Sequence, residues 1–265
     1  MMSKLIIDES TLTSIGDAIR QKDGTTDLIS PLKMAERIAA LSSGGSGEGG
    51  NTVAENALVL QMYSLNDLGQ ANSTLNLANV TNLFYFCCCT NAKQTERLNN
   101  TVEEFTLNCD QKITQANNVL YFPTTMPDTT LRKLNLNADF SSCASFANFM
   151  QAFTALEEIG GTPIDMTAAT NVRYFFTGMT ALREIRFQGT IGISLDLSEA
   201  PVLSAESIEN AISCLSDGAS ELTLTLSEAA VNAAFETSVD AADGTTSAEW
   251  TALVDSKPNW TISLV

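Results

Sequence analysis

From about residue 53 onward, compact apolar clusters alternate with stretches in which every second side chain is polar. Val172, Phe175, Phe176 and Met179 sit at i, i+3, i+4 and i+7, and Phe146, Phe149, Met150 and Phe153 repeat that spacing. Ile208, Ile212 and Leu215 follow a thinner version. This spacing gathers the apolar side chains on one face and predicts a short helix or helical turn at each place. Period-two alternation follows in VEEFTLN from Val102, LRKLNLN from Leu131, LEEIGG from Leu156, LREIRFQ from Leu182 and ELTLTLS from Glu221. These read as strands, with Phe105 and Leu107, Leu134 and Leu136, Ile185 and Phe187, and Leu222, Leu224 and Leu226 turned inward.

The two kinds of segment recur together. NLFYFC from Asn82, NVLYFP from Asn118 and NVRYFF from Asn171 are nearly the same phrase. Anchoring on Leu83, Val119, Phe146, Val172 and Ile208 gives steps of 36, 27, 26 and 36 residues, a unit of 26 with insertions. A helical face plus one short strand cannot bury its apolar side alone. Stacked on its neighbours it can, and the strands then form a parallel ladder. The phenylalanines are the expected wedge between the strand layer and the helix layer, and Cys87 falls where Phe176 falls in the later unit.

Both ends differ from the middle. In STLTSIGDAIRQK, Leu12, Ile15 and Ile19 share a helical face, with Ser10 or Thr11 as N-cap. Ser30-Pro31 opens a second helix carrying Leu32, Ala35, Ile38 and Ala39 on one stripe. Two helices of this size cannot enclose a core, so residues 1–43 are expected to dock on a partner or on copies of themselves. The run SSGGSGEGG follows, giving a flexible linker drawn at 44–52. The solenoid is then expected over 53–226 and a C-terminal cap over 227–265. In the cap, SEAAVNAAFET and TSAEWTALVDSK read as helices, NWTISLV as a closing strand, and Trp250 and Trp260 as packing residues.

Charge and composition narrow the chemistry. The chain has 265 residues and a formal net charge of −17, from 14 Lys plus Arg against 31 Asp plus Glu. Lys257 is the one basic residue after Leu195. Such a charge repels nucleic acid and anionic lipid, so nucleic-acid binding is not expected, and no stretch approaches the roughly 18 apolar residues that membrane insertion needs. There is no histidine, which removes Ser-His-Asp, Cys-His and His-metal chemistry. The six cysteines, Cys87, Cys88, Cys89, Cys109, Cys143 and Cys214, form no C-x-x-C pair and read as small buried hydrophobes. No phosphate-binding glycine loop is present, and GGSGEGG lacks both a following lysine and a preceding strand. Glu103-Glu104 and Glu157-Glu158 are adjacent on strands and face opposite ways, a poor acid/base couple. Asp240 and Asp243 lie in acidic loops without calcium-loop spacing. The expectation is no enzyme, no cofactor and no metal.

What remains is a surface. Aligning the strands places Glu104, Lys133, Glu158 and Glu184 in one outward column, with Thr106, Asn135, Gly160 and Arg186 in the next. Asn108, Asn137 and Gln188 lie beyond them. Small polar and alternating charged side chains on a rigid ladder suit hydrogen bonding to a protein or a glycan. Tyr85, Tyr121 and Tyr174 occupy equivalent places at the core edge and form a second candidate stripe.

Two resemblances bear on this arrangement. FMQAFTALEEIGGTPIDMTAATNVRYFFTGMTALREIRF, where F-x-x-M-x-A-L-x-x-I recurs, resembles the leucine-rich repeats of BspA-like bacterial surface proteins over roughly residues 75–226. That resemblance implies an α/β leucine-rich-repeat solenoid used for adhesion or recognition, with no catalytic residues. BspA-like proteins carry export signals. This chain departs from them, because MMSKLIIDESTLT turns acidic and polar at once. LTSIGDAIRQKDGTTDLISPLKMAERIAAL resembles a short N-terminal module of bacteriophage and prophage structural proteins of Gram-positive hosts. It implies a virion protein made in the host cytoplasm, a tail fibre or receptor-binding component. Its anchor helices would bind other virion proteins, and a homo-oligomer, guessed as a trimer, is expected. A head or neck decoration fibre, and a bacterial BspA-like adhesin or interaction scaffold, are the alternatives.

Overall fold

The alternating stretches become short parallel strands. In chain order they are β1 (Asn51–Val53), β2 (Ser73–Leu77), β3 (Asn82–Phe84), β4 (Glu104–Lys112), β5 (Gln115–Asn117), β6 (Lys133–Asp139), β7 (Glu158–Asp165) and β8 (Glu184–Gln188). After them come β9 (Leu195–Leu197), α1 (Ala205–Ser213), β10 (Leu222–Leu226), α2 (Glu228–Phe235), α3 (Ala248–Asp255) and β11 (Trp260–Leu264). This computed structural model describes residues 51–53, 73–77, 80–84, 102–117, 119, 127–218, 221–236 and 247–265. The expected anchor helices with Leu12, Ile15, Ile19, Leu32, Ala35 and Ile38, the tether up to residue 50, Tyr85, Cys87 and Tyr121 lie outside those residues, and the last two linker residues, Asn51 and Thr52, belong to β1.

Strands β1, β2, β4, β6, β7 and β8 follow one another in a parallel sheet, the main wall of a β-solenoid of about four turns. Each strand repeats after one circuit of the chain, so the parallel pairing follows directly from the repeat. The inward positions are buried as their alternation predicts: Phe105, Leu107, Leu134, Leu136, Ile185 and Phe187 all face the core. A second wall is stitched by backbone bonds between successive turns. Thr114 N–H donates to Thr81 O, Ala144 N–H to Thr114 O, and Thr170 N–H to Ala144 O. The hydroxyls of Thr114 and Thr170 donate to the same carbonyls as their own amides.

This stitching corrects the expected register. Leu83 pairs with Ala116, not Val119, because β3 and β5 align Asn82 with Gln115. The next equivalents are Ser145 and Asn171, joined by a parallel bridge. The phrases at Asn82 and Asn171 are therefore true counterparts, whereas the one at Asn118 starts three residues late. Val119, fully buried, then falls where Phe149 and Phe175 fall in later turns. The 26-residue step itself holds between Ala144 and Thr170 and again between Thr154 and Thr180.

The segments expected to be helices at 146–153 and 172–179 are tight turns and bends. Asn148, Ala152 and Tyr174 have φ of 52°, 61° and 57°, and Gly178 has 74°. A residue in that left-handed region ends a right-handed helix. The i, i+3, i+4, i+7 pattern arises instead because each corner folds its apolar residues inward. Of the three such segments that are fully described, the Ile208 one is helical; α1 carries Ile208 and Ile212, and Leu215 lies just past its end. Among the described residues, helices occur only after β9.

The phenylalanine wedge is present as expected. Phe140, Phe146 and Phe149 meet at centroid separations of 5.6–5.7 Å, and Phe175 stacks on Phe146 at 5.3 Å. Phe176 and Phe187 continue the chain of rings toward β8. A recurring turn closes each circuit: Asp139, Asp165 and Asp196 accept through Oδ1 from the N–H of Ser141, Thr167 and Ser198. This side-chain mimic of a backbone turn follows β6 and β7 in successive turns and recurs at β9 in the C-terminal sheet.

At the C-terminal end, β9, β10 and β11 form a separate parallel three-stranded sheet. Trp250 packs against Phe235, and Trp260 is buried with its Nε1–H donating to Ser216 O at 2.8 Å. Lys257 reaches Leu215 O at 2.6 Å and Asp217 at 2.8 Å, tying the last segment to the end of α1.

Burial also fixes the thiols. Cys109 and Cys143 are pushed up to about 12 by desolvation. A raised folded-state value means their contribution to stability is complete below the unfolded thiol value, near 9, and is lost as pH rises toward 12. Native protein treated with iodoacetamide at pH 8 should therefore leave both cysteines unmodified, by peptide mass mapping, while urea-unfolded protein reacts at both. Equal labelling in the two states would contradict the described core.

Candidate recognition face

The outward side of the main wall carries the residues singled out from the sequence. Register places Glu104, Lys133, Glu158 and Glu184 opposite one another across β4, β6, β7 and β8. Thr106, Asn135 and Gly160 form the next column, and Asn108 pairs with Asn137 beyond them. Two expected members do not join. Between Ile159 and Ile164 the register shifts, because Gly160–Pro163 inserts extra residues into β7. Arg186 is therefore not opposite Gly160, and Gln188 pairs with Asp165 rather than extending the asparagine column.

The columns are cross-linked. Lys133 Nζ lies 2.8 Å from Glu158 Oε1, and that bond holds its ammonium above the ordinary lysine range. Asn135 Nδ2 donates to Glu104 at 3.1 Å and to Thr106 at 3.3 Å. One position earlier, Arg132 meets Glu157 at 2.6 Å. Arg186 turns away to Glu206 on α1, and Glu184 accepts from Ser204.

The sequence reading missed Asn76. It stands in register with Asn108 and accepts from Asn108 Nδ2 at 2.6 Å. Asn137 Nδ2 donates to Asn108 Oδ1 at 2.7 Å, so three amides form a directional ladder across β2, β4 and β6. The ladder stops at Gly161, where φ is +89° and a Cβ would come within 2.5 Å of Leu136 O. Its signal was readable in STLNLAN, whose alternation matches FTLN and KLNLN.

No protein-family model, curated protein or solved structure matches this chain. The chemistry of the face must be read from its geometry alone. Exposed ion pairs such as Lys133–Glu158 add little to stability, because water and salt screen them. Their consequence is positional: each long side chain is held by its neighbour on the next strand. The face therefore presents donors and acceptors at the fixed strand spacing of about 4.8 Å. Among the described residues no cluster of His, Cys, Asp or Glu has the arrangement of a metal site. No helix among them is long and apolar enough to cross a membrane. Tyr174 is the one member of the expected tyrosine stripe that is described, and it is 51% exposed.

Proposed function

We propose that this chain is a phage or prophage virion protein, a tail-fibre or other host-recognition component. Its solenoid, of the BspA-like leucine-rich-repeat type, presents the polar face of the main wall to a protein or glycan on the host surface. The observation that carries the reading is the cross-linked face itself: Glu104, Lys133, Asn135, Glu158 and the Asn76–Asn108–Asn137 ladder hold one another in fixed columns. A preorganised array loses little conformational entropy when a partner binds, so even small polar groups give useful affinity. The sequence of residues 1–43, resembling a phage structural module, supplies the attachment to the particle. Copies held together on a particle would add avidity to a weak single site.

The test uses the full chain. Lys133→Glu with Asn135→Ala breaks two columns at once without touching the core. Binding of the labelled variant to host cells should fall about tenfold or more, while its melting temperature stays within a few degrees of the parent, since the lost pairs are exposed. Deleting residues 1–43 should abolish incorporation into particles. Unchanged cell binding by the double variant would remove the face from the proposal; incorporation of the truncated chain would remove the anchor.

A further inference from the structure

The solenoid's last turn is cut short, and that leaves a corner without the layer that covers the equivalent corner before it. Ser204 N–H donates to Arg183 O, as Arg183 N–H donates to Glu157 O, so the fourth turn spans only Arg183 to Ser204. It omits any counterpart of 146–153 and 172–179. In the complete turn, Phe146 N–H donates to Asn171 O, Asn148 N–H to Arg173 O and Ala152 N–H to Thr177 O. The equivalent donors one turn later belong to Val172, Tyr174 and Gly178. Gly178 N–H has found a substitute acceptor, the carboxylate of Glu199, at 2.6 Å. Among the described residues, the amides of Val172 and Tyr174 have no acceptor.

Both residues line a small, open groove together with Phe175, Thr177, Asp196 and Glu199. Tyr174 stands at its lip with φ 57°, where the preceding turn has Asn148 at φ 52°. Asparagine tolerates that backbone and tyrosine is strained in it, so a bulky ring is kept here at a cost in stability. Arg173 fixes the ring, donating to the hydroxyl at 3.1 Å with its guanidinium 4.7 Å from the centroid.

We infer that this groove docks an extended peptide segment of a protein partner that carries a basic side chain, laid parallel to residues 171–177 as the missing layer. The preceding corner shows what these amides bind: two carbonyls on alternate residues of the next layer, Asn171 in its parallel bridge to Ser145 and Arg173 at the turn that follows. Alternate carbonyls of any extended chain repeat at roughly 6.6 Å, so a partner's backbone meets the same two donors. Asp196 and Glu199 exclude an anionic ligand and favour a lysine or arginine beside the strand. The inference does not depend on the identity proposed above, and its residues are not those of the polar face.

The experiment follows backbone amide signals of the full chain while acetylated, amidated Thr-Val-Lys-Val-Thr is added. Val172 and Tyr174 amides should move downfield and gain protection from hydrogen exchange. The same peptide with glutamate in place of lysine should bind about tenfold more weakly. Asp196→Asn with Glu199→Gln, which keeps an acceptor for Gly178, should erase most of that preference. Maltotriose serves as the glycan probe and should leave both amides unmoved. Three results overturn the inference: silence of both amides toward the lysine peptide at millimolar concentration, equal binding of the two peptides, or a response to maltotriose in place of the peptide.

Discussion

Phe175→Ala should lower the stability of the folded chain by about 3–5 kcal/mol. The ring is 2% exposed and touches Phe146, Phe149 and Phe176 at centroid distances of 5.3, 5.4 and 4.1 Å. It therefore joins two successive turns and carries the contact on toward Phe187 through Phe176. Truncation removes burial worth about 1.5–3 kcal/mol. It also leaves a cavity between layers whose backbones are locked by the turn-to-turn hydrogen bonds and cannot close on it. Phe175→Leu refills much of that volume and should cost less than half as much. Urea denaturation followed by circular dichroism measures both. A loss under about 1 kcal/mol for the alanine variant would mean that the rings do not bind the layers together.

How far the chain could be read depended on which interactions stay within one turn. Strand interiors were legible, because Phe105 and Leu107 or Leu134 and Leu136 need only alternate to face the core. The columns on β4, β6 and the start of β7 were legible for the same reason, as was the 26-residue step from Phe146 to Val172. The corners were misread. Their apolar spacing is that of a helix, and Ala152 and Tyr174 at positive φ give no sign in the sequence that glycine would have given. The β7 insertion did leave a sign, since Gly160-Gly161 and Pro163 within one strand mark a bulge. The Asp-x-Ser/Thr turns at Asp139 and Asp165 were equally readable and repeat the 26-residue step.

The shortened fourth turn was not legible, because what ends the ladder is a pair of unremarkable helix residues. β8 is the last strand of the main sheet, and an uncovered last strand offers its backbone groups to any other chain. Helix α1 lies where the next strand would be and replaces that strand's backbone with side chains. Ser207 Oγ accepts from Ile185 N–H at 3.1 Å and donates to Arg183 O at 3.2 Å. Asn210 accepts from Phe187 N–H at 2.6 Å through Oδ1 and returns Nδ2–H to Phe187 O at 3.1 Å. An asparagine side chain is an amide, so at this point it serves as a peptide group of the absent strand.

Ser207→Ala with Asn210→Ala should thus cost about 2–5 kcal/mol, since the Ile185 and Phe187 amides lose their acceptors beneath a helix that still shields them from water. The double variant should also form larger species than the parent chain at equal concentration, by sedimentation velocity, as the freed edge of β8 pairs with other molecules. Ser207→Thr keeps the hydroxyl and should do neither. If the double variant is destabilised yet assembles no further than the parent, α1 blocks the edge by its bulk and not by satisfying it. If stability is unchanged, those backbone groups reach water and the ladder is ended elsewhere.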